Sequence, residues 1–230
     1  MMPEQRTEFE TRGCLYLAGA LPKKVVQPIK TRILSDLKQL NIWSSGRTPS
    51  QRLKGVPIFQ QTDKLGQWIS YPDLHRTLMS ASLSSAMEQL VQRPLAPAQS
   101  APLLISLPHK DDWTLTGLNW HRDIAQSQTR SIPGIQAFVL LDDVPVHGGA
   151  TLALAGSHRL NNPTTAKQRL EELSGGGAIS VEGCELSLVE MFGRAGDVYL
   201  MDMRVLHTPS INASKKPRLM ATMRRLVDAH

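Results

Sequence analysis

The feature that most constrains the fold is a series of short apolar or alternating segments that fills the second half of the chain. Glycine, proline, asparagine and aspartate residues separate the segments. Many short strands with turn residues between them are typical of an all-β barrel or sandwich. The sequence therefore predicts seven strands, at residues 103–106, 118–120, 135–141, 150–154, 186–191, 197–201 and 219–227.

The first half of the chain is predicted to be rich in helix. Residues 13–18 form a short strand pattern, and residues 23–40 place apolar side chains three and four positions apart, which predicts an amphipathic helix. Pro28 lies inside this pattern and favours a helix start near that residue. Residues 72–93 predict two short helices, and residues 41–71 are predicted to be irregular.

A length of 230 residues suits one large domain better than two. We expect a single domain with a helix-rich part at 1–100 and a β-rich part at 101–230. Residues 160–184 interrupt the strand series with a short helical pattern and with Gly175, Gly176 and Gly177. We expect this insertion to have few core contacts and to act as a lid or specificity element; the alternative is a solvent loop without a role.

Composition excludes several classes of protein. Hydrophobic residues make up 41% and charged residues 20%, which excludes a disordered chain. The two cysteines, Cys14 and Cys184, are too few for a disulfide framework and form no C-x-x-C pair. No apolar stretch approaches the roughly 18 residues that a membrane span needs, and the polar N-terminus shows no secretory signal. We therefore expect a cytoplasmic protein without a membrane partner.

The net charge of +6 raises the question of nucleic-acid binding. The basic residues are dispersed, and the clusters are only pairs: Lys23-Lys24, Lys215-Lys216 and Arg224-Arg225. No aromatic-interleaved basic stripe accompanies them. We therefore do not expect nucleic acid as a partner, and the sequence leaves the oligomeric state open.

One set of residues points to metal chemistry. His121 and Asp123 form a His-x-Asp, and residues two apart on an extended segment point to the same side. His207 follows a later strand, at a predicted turn, and Arg218 opens the last strand. Two histidines and one carboxylate form the facial triad of non-haem Fe(II) oxygenases, and an arginine fork suits a carboxylate.

These residues and their surroundings resemble the phytanoyl-CoA dioxygenase family of Fe(II)/2-oxoglutarate-dependent oxygenases. The stretch with a Gly-Gly, a small-apolar strand and a Gly-Ser-His is the most similar part, and residues 13–40 also fit the usual opening of the family. The matching pieces are NWHRD (119–123), QAFVLLDDV (136–144), GGATLALAGSHR (148–159), GDVYLMD (196–202), His207 and Arg218.

The resemblance implies a mainly β fold, a double-stranded β-helix or jelly-roll of the cupin type, with helices packed outside. It implies that His121, Asp123 and His207 hold iron. It also implies that 2-oxoglutarate, which with O2 is a co-substrate, chelates the iron through its keto-acid end and places its far carboxylate on Arg218.

Other residues of the co-substrate pocket follow from the resemblance alone. Leu103 and Phe138 occupy positions that line this pocket in the family, with Phe138 in place of a common tryptophan. The family often has a serine two residues after the distal histidine, where this chain has Pro209. Two neighbouring hydroxyls are the candidates to replace it, Thr208 and Ser210; otherwise the arginine acts alone.

The activity implied by the resemblance is oxidation, most simply hydroxylation, of an unactivated C–H bond in a small molecule such as an amino acid or secondary metabolite. Succinate and CO2 are released. Asp123 favours hydroxylation, desaturation or cyclisation over halogenation, because related halogenases have a small residue at this position. Two alternatives remain open: a non-catalytic jelly-roll that binds a metal or ligand, and an oxygenase that acts on a macromolecule. His158 of the Gly-Ser-His is interpreted as a structural turn residue.

Overall fold

The computed structural model describes residues 2–44, 51–69, 71–124 and 131–228. Among the described residues, five of the six α-helices lie before residue 100, and eight of the nine strands follow it. The strands are β1 (Cys14–Leu17), β2 (Leu103–Ser106), β3 (Gly134–Leu140), β4 (Thr151–Ala155), β5 (Ala178–Val181), β6 (Cys184–Glu190), β7 (Val198–Asp202), β8 (Leu206–Pro209) and β9 (Arg218–Leu226). The α-helices are α1 (Pro3–Arg12), α2 (Lys23–Gln39), α3 (Ile58–Trp68), α4 (Leu74–Leu78), α5 (Ala81–Val91) and α6 (Thr164–Gln168).

The strands form two antiparallel sheets. The first sheet has the order β1-β7-β3-β9-β2, and the second has the order β5-β6-β4-β8. Apolar side chains from both sheets, among them Phe138 and Met220 of the first and Ala153 and Val189 of the second, pack together between them. The faces that the sheets turn toward each other are called the inner faces below. This arrangement confirms the predicted mainly β jelly-roll with flanking helices.

The helices cover the outer face of the first sheet. Along β9, Leu219, Ala221 and Met223 pack under the helices, whereas Met220 points to the interior. Both faces of the strand are covered, which explains why it reads as a nearly continuous apolar run rather than an alternating one. No helix in the described ranges is long and apolar enough to cross a membrane.

Helix α2 begins where the 23–40 pattern predicts and not near Pro28. It starts at Lys23 and includes Pro28. Val26 and Ile29, on either side of the proline, are buried in the cluster under the first sheet. Burial of about 1.5–3 kcal/mol per large apolar side chain outweighs the one backbone hydrogen bond that the proline removes.

Residues 41–71 contain more structure than predicted, because α3 runs from Ile58 to Trp68. This helix packs closely against β2: a Cβ added at Gly66 would lie 2.0 Å from the backbone oxygen of Leu103. A glycine lowers helix propensity, so the sequence around Gly66 did not predict a helix. The close packing that Gly66 permits stabilises the helix through tertiary contacts.

The β-rich part also differs from the prediction at three strands. Residues 118–120 form no strand, and pairing in this stretch is limited to a bridge between His121 and His207. Conversely, β5 and β8 were not predicted. Strand β8 has only four residues and ends in a proline, so its sequence carries little strand signal; it is held by pairing with β4.

Residues 160–184 are not a loosely attached insertion. Their buried apolar side chains pack on the outer face of the second sheet, and β5 pairs with β6 to extend that sheet. The expectation of few core contacts is therefore wrong, and the segment covers the side of the sheet that faces away from the interior. The buried residues are Leu160, Ala166, Leu170, Leu173, Ile179 and Val181. Gly175, Gly176 and Gly177 lie in an exposed connection before β5.

Candidate metal centre

Three potential metal ligands converge between the sheets. His121, Asp123 and His207 each offer one ligand atom, and these atoms all lie within 4.8 Å of one another. The backbone N–H of His121 donates to the oxygen of His207 at 3.0 Å, and that of His207 donates to the oxygen of His121 at 2.9 Å. His207 therefore lies on strand β8 and not, as predicted, at a turn. Its pairing with His121 joins segments that are distant in the sequence.

Both histidine rings are oriented by the same local contact. The Nδ1 atom of His121 lies 2.9 Å from the backbone oxygen of Asn119, and Nδ1 of His207 lies 3.1 Å from that of Val205. A carbonyl accepts only from a protonated nitrogen, so each ring carries its proton on Nδ1 and keeps the Nε2 lone pair free. This is the form in which histidine binds a metal.

The Asp123 carboxylate has two different oxygen environments. Its Oδ1 accepts a hydrogen bond from Nη2 of Arg224 at 2.6 Å. Its Oδ2 is buried, has no hydrogen-bond donor among the described residues, and lies 3.7 Å from Nε2 of His207. A buried carboxylate oxygen without a donor is unstable unless a cation completes its environment.

The charge state of His207 suits a metal ligand. Burial lowers its pKa from the usual value near 6.5 to about 4; the Asp123 carboxylate raises it, and the neighbouring His121 lowers it. The imidazole is therefore neutral at neutral pH, as coordination requires.

The Gly-Ser-His turn supports both ligand segments. The backbone N–H of Leu206, next to His207, donates to Oγ of Ser157 at 2.8 Å. The guanidinium of Arg122, between His121 and Asp123, donates to the backbone oxygen of Ser157 at 2.6 Å. Ser157 thus connects the two segments that carry the ligands.

His158 lies behind this centre. Its Nε2 is 3.1 Å from the backbone oxygen of Glu10 on helix α1. The position agrees with the interpretation of His158 as a structural turn residue.

Arg218 is a buried cation on the inner side of β9. Its Nε donates to the oxygen of Gly149 and its Nη1 to that of Leu104, both at 2.7 Å. Its Nη2 is buried and has no acceptor within the described ranges. Burial lowers the pKa of the guanidinium to about 9, and no carboxylate among the described residues opposes this effect. A protonated arginine with an unused donor suits an anionic ligand.

Gly149 allows its backbone oxygen to approach Arg218. The residue has φ +78°, and an added Cβ would lie 2.6 Å from Cβ of Asn212 and 3.0 Å from Oγ of Ser106. A larger residue at position 149 would therefore have a strained backbone, and its side chain would clash with Asn212 and Ser106. Ser106 is the register partner of Arg218 on β2, so the two side chains start from neighbouring positions on the same face of the sheet.

The two hydroxyls predicted to replace the missing serine are used elsewhere. Thr208 donates to the backbone oxygen of Pro209 at 3.1 Å, and Ser210 donates to that of Ala150 at 2.7 Å. Thr208 also follows His207 directly on β8, so its side chain lies on the opposite face of the sheet. Both hydroxyls thus donate to backbone oxygens here, and their contact with a carboxylate on Arg218 stays a prediction.

The two predicted apolar pocket residues lie on different faces of the first sheet. The ring of Phe138 lies on the inner face, with its centroid 6.1 Å from that of His207 at an interplanar angle of 69°. Leu103 packs into the cluster under the helices. This position does not fit the predicted place of Leu103 in the pocket, and Leu104 is the neighbour that packs against the interior cluster.

Three inner-face polar residues were missed in the sequence: Ser106, Gln136 and Arg224. Gln136 donates from Nε2 to Oγ1 of Thr222 at 2.7 Å, and its Oε1 is buried without a donor in the described residues. Period-two alternation from Arg218 would have placed Arg224 on the same face. The predicted pocket residue Phe138 would likewise have placed Gln136 on that face, whereas β2 offers no such anchor for Ser106.

Comparison with known proteins agrees with this geometry. The family model described as phytanoyl-CoA dioxygenase (PhyH) matches residues 9–220. The chain belongs to the phytanoyl-CoA dioxygenase family. The match includes the three candidate metal ligands and Arg218. No curated protein matches the sequence.

Several solved structures share the PhyH-type fold of this chain. AviO1 from Streptomyces viridochromogenes Tue57 is 18% identical, covers 98% of this chain and 95% of its own, and has a TM-score of 0.66. The non-haem α-ketoglutarate-dependent carbocyclase SnoK from nogalamycin biosynthesis is 17% identical, with coverages of 99% and 84% and a TM-score of 0.64. HygX from Streptomyces hygroscopicus, crystallised with nickel and 2-oxoglutarate, is 18% identical, with coverages of 100% and 88% and a TM-score of 0.62. At these identities the likeness concerns the fold.

Proposed function

We propose that this protein is an Fe(II)- and 2-oxoglutarate-dependent dioxygenase that hydroxylates an unactivated C–H bond of a small molecule, with release of succinate and CO2. One observation carries the proposal. His121, Asp123 and His207 converge in the same interior as a buried arginine, Arg218, that has an unused donor. A metal site and an anion site on one inner surface are what a metal-chelating dicarboxylate requires.

The three ligands fit Fe(II). They supply two neutral imidazole nitrogens and one carboxylate oxygen, and Oδ2 of Asp123 lacks a donor in the described structure. This donor set leaves three coordination positions open. When bound, iron would activate O2 together with the co-substrate 2-oxoglutarate for the oxidation of a C–H bond. The protein would orient that bond and exclude water.

Arg218 is the residue proposed to bind the far carboxylate of 2-oxoglutarate. Two of its donors are fixed on the backbone oxygens of Gly149 and Leu104, which holds the guanidinium in one orientation. The remaining donor and the hydroxyl of Ser106 are proposed to contact the carboxylate. Phe138 is proposed to form an apolar wall beside His207.

A small-molecule substrate is supported by structural relatives. SnoN was crystallised with Fe3+, α-ketoglutarate and nogalamycin RO, and HygX with nickel, 2-oxoglutarate and hygromycin B. We infer that this chain also acts on a secondary metabolite or a comparable small molecule such as an amino acid. SnoK is a carbocyclase and SnoN an epimerase, so the reaction outcome has to be read from the product.

The first test is an anaerobic titration with Fe(II) and 2-oxoglutarate. We expect a weak visible charge-transfer band in the wild-type protein and in Arg76→Ala, which removes an exposed arginine on α4. The band should be lost in His121→Ala, Asp123→Ala and His207→Ala. A wild-type protein without the band would contradict the proposal and favour a non-catalytic jelly-roll.

The second test identifies the reaction. A metabolite panel is screened for substrate-stimulated succinate release, and the product is analysed by mass spectrometry with isotopically labelled O2. We expect one labelled oxygen atom in the product. A product that has lost two hydrogens and gained no oxygen would contradict hydroxylation and assign desaturation or cyclisation. Turnover only with a polymer, with salt-sensitive binding, would overturn the small-molecule assignment.

A further inference from the structure

We infer that Arg224 is a positioning residue that holds Asp123 so that the carboxylate presents a single oxygen to the metal. The inference rests on the proposed function, since it concerns how the metal ligand is oriented. It assigns a role to the second arginine on the inner side of β9.

The geometry places Arg224 at the rim of the site. Arg218 and Arg224 are six residues apart on β9, so both side chains lie on the inner face. Nη2 of Arg224 is 2.6 Å from Oδ1 of Asp123. The Asp123 side chain is 6% exposed and that of Arg224 is 53% exposed. The arginine thus reaches a buried carboxylate from the solvent side.

The contact makes the two oxygens of Asp123 unequal. Oδ1 is committed to a short charge-assisted hydrogen bond. Oδ2 is left without a donor among the described residues and lies on the side of His207. A carboxylate with both oxygens free can bind a metal through both and would then occupy a fourth coordination position. By engaging Oδ1, Arg224 keeps three positions open for the keto acid and O2.

A purely structural role does not explain this pair. An ion pair between two exposed side chains contributes little to stability. Arg76 and Asp73 on the surface are such a pair, with side chains 75% and 62% exposed. Arg224 differs because its partner is buried and is one of the three candidate ligands. Removing Arg224 should therefore change metal binding, whereas removing Arg76 should not.

The test compares Arg224→Ala, Arg224→Lys and the matched control Arg76→Ala. Co(II) is titrated into each metal-free protein, and the affinity and the visible d–d spectrum are recorded; thermal unfolding is measured in parallel. We expect Arg224→Ala to bind Co(II) about tenfold more weakly or worse, with a weaker d–d absorption that indicates a higher coordination number. Arg224→Lys should restore most of both signals, and Arg76→Ala should match the wild type.

The outcomes separate the inference from the proposed function. Wild-type affinity and spectrum in Arg224→Ala would overturn the role of Arg224 and leave the proposed function intact. A wild-type protein that binds neither Co(II) nor Fe(II) with 2-oxoglutarate would overturn the proposed function. If Arg224→Ala folds poorly, Arg224→Met keeps the aliphatic stem and gives the same comparison.

Discussion

At the scale of single residues, burial assigns different roles to two arginines on one strand. Arg218 is fully buried and is fixed by two backbone oxygens, whereas Arg224 is half exposed and contacts Asp123. The buried Arg218 suits an anionic ligand that replaces the water around its guanidinium. The half-exposed Arg224 suits a charged side chain of the same chain, the Asp123 carboxylate. The same residue type thus serves two purposes at different depths of one interior.

Replacing Arg218 tests the anion site. We expect Arg218→Ala to raise the 2-oxoglutarate concentration needed for half-maximal charge-transfer absorbance by about tenfold to a few hundredfold, because a charge-assisted bond contributes a few kcal/mol. Arg218→Lys should show a smaller loss, since it keeps the charge but not the fork. Ser106→Ala should raise the requirement only several-fold. An unchanged requirement in Arg218→Ala would exclude it as the carboxylate anchor.

His158 predicts a pH dependence of stability. Burial lowers its pKa below the usual value near 6.5. Its Nδ1 is buried without a partner in the described ranges, so a proton there has no acceptor. The unfolded chain then binds a proton that the folded chain does not, and stability falls as the pH drops below about 6.5.

The measurement for His158 is urea unfolding of the metal-free protein at pH 7.5 and pH 5.5. His158→Gln keeps a donor for the backbone oxygen of Glu10 but cannot titrate, and it serves as the control. We expect the wild type to lose more unfolding free energy than this variant between the two pH values. Equal losses would show that His158 does not contribute.

At the scale of elements, the Gly-Ser-His turn that follows β4 is hydrogen-bonded to the strand that carries His207. Ser157 accepts the backbone N–H of Leu206 and, through its own backbone oxygen, the guanidinium of Arg122. A four-residue strand such as β8 has few ladder hydrogen bonds of its own, so this side-chain contact fixes its start. The position of the metal ligand thus depends on an element that is not itself part of the site.

Ser157→Ala tests this connection. The substitution leaves the buried N–H of Leu206 without a partner, so we expect a loss of about 1–3 kcal/mol in the free energy of unfolding. We also expect weaker Fe(II) binding. Ser85→Ala on the exposed side of α5 is the matched control and should change neither quantity. Full stability together with full metal affinity in Ser157→Ala would contradict the assigned role.

At the scale of the whole molecule, the helix-rich and β-rich parts are interlocked. Strand β1 from the N-terminal part pairs with β7 in the first sheet. Arg225 of β9 donates to the backbone oxygens of Leu95 and Ala96 and to side chains of α5. We propose on this basis that residues 1–230 form a single domain.

A single domain should unfold in one step. We expect urea transitions followed by far-UV circular dichroism and by tryptophan fluorescence to coincide, because the four tryptophans are divided between the two parts. A fragment that begins at residue 101 lacks β1 and exposes the helix-covered face of the first sheet, so we expect it to aggregate. Separate transitions, or a soluble and cooperatively folded fragment, would contradict a single domain.

The local features could be predicted from the amino-acid sequence alone. The apolar runs predicted β2, β3, β4, β6, β7 and β9, and the three-four spacing predicted α2. The His-x-Asp with His207 predicted the three side chains that converge. These features can be predicted because they depend on local sequence: on periodicity, on turn residues and on the order of motifs. The family resemblance rests on the same local patterns.

The inner side of each strand and the pairing of distant segments depend on how the whole chain packs. Alternation places Leu103 and Leu104 on opposite faces, but the packing of helices against the first sheet decides that Leu104 faces the interior. Strand β8 exists because β4 and His121 supply hydrogen bonds from elsewhere in the chain. Residues 160–184 are ordered because the second sheet offers an apolar face to cover. Each of these depends on contacts between residues that are far apart in the sequence, and such contacts leave no periodic signal in the segments that make them.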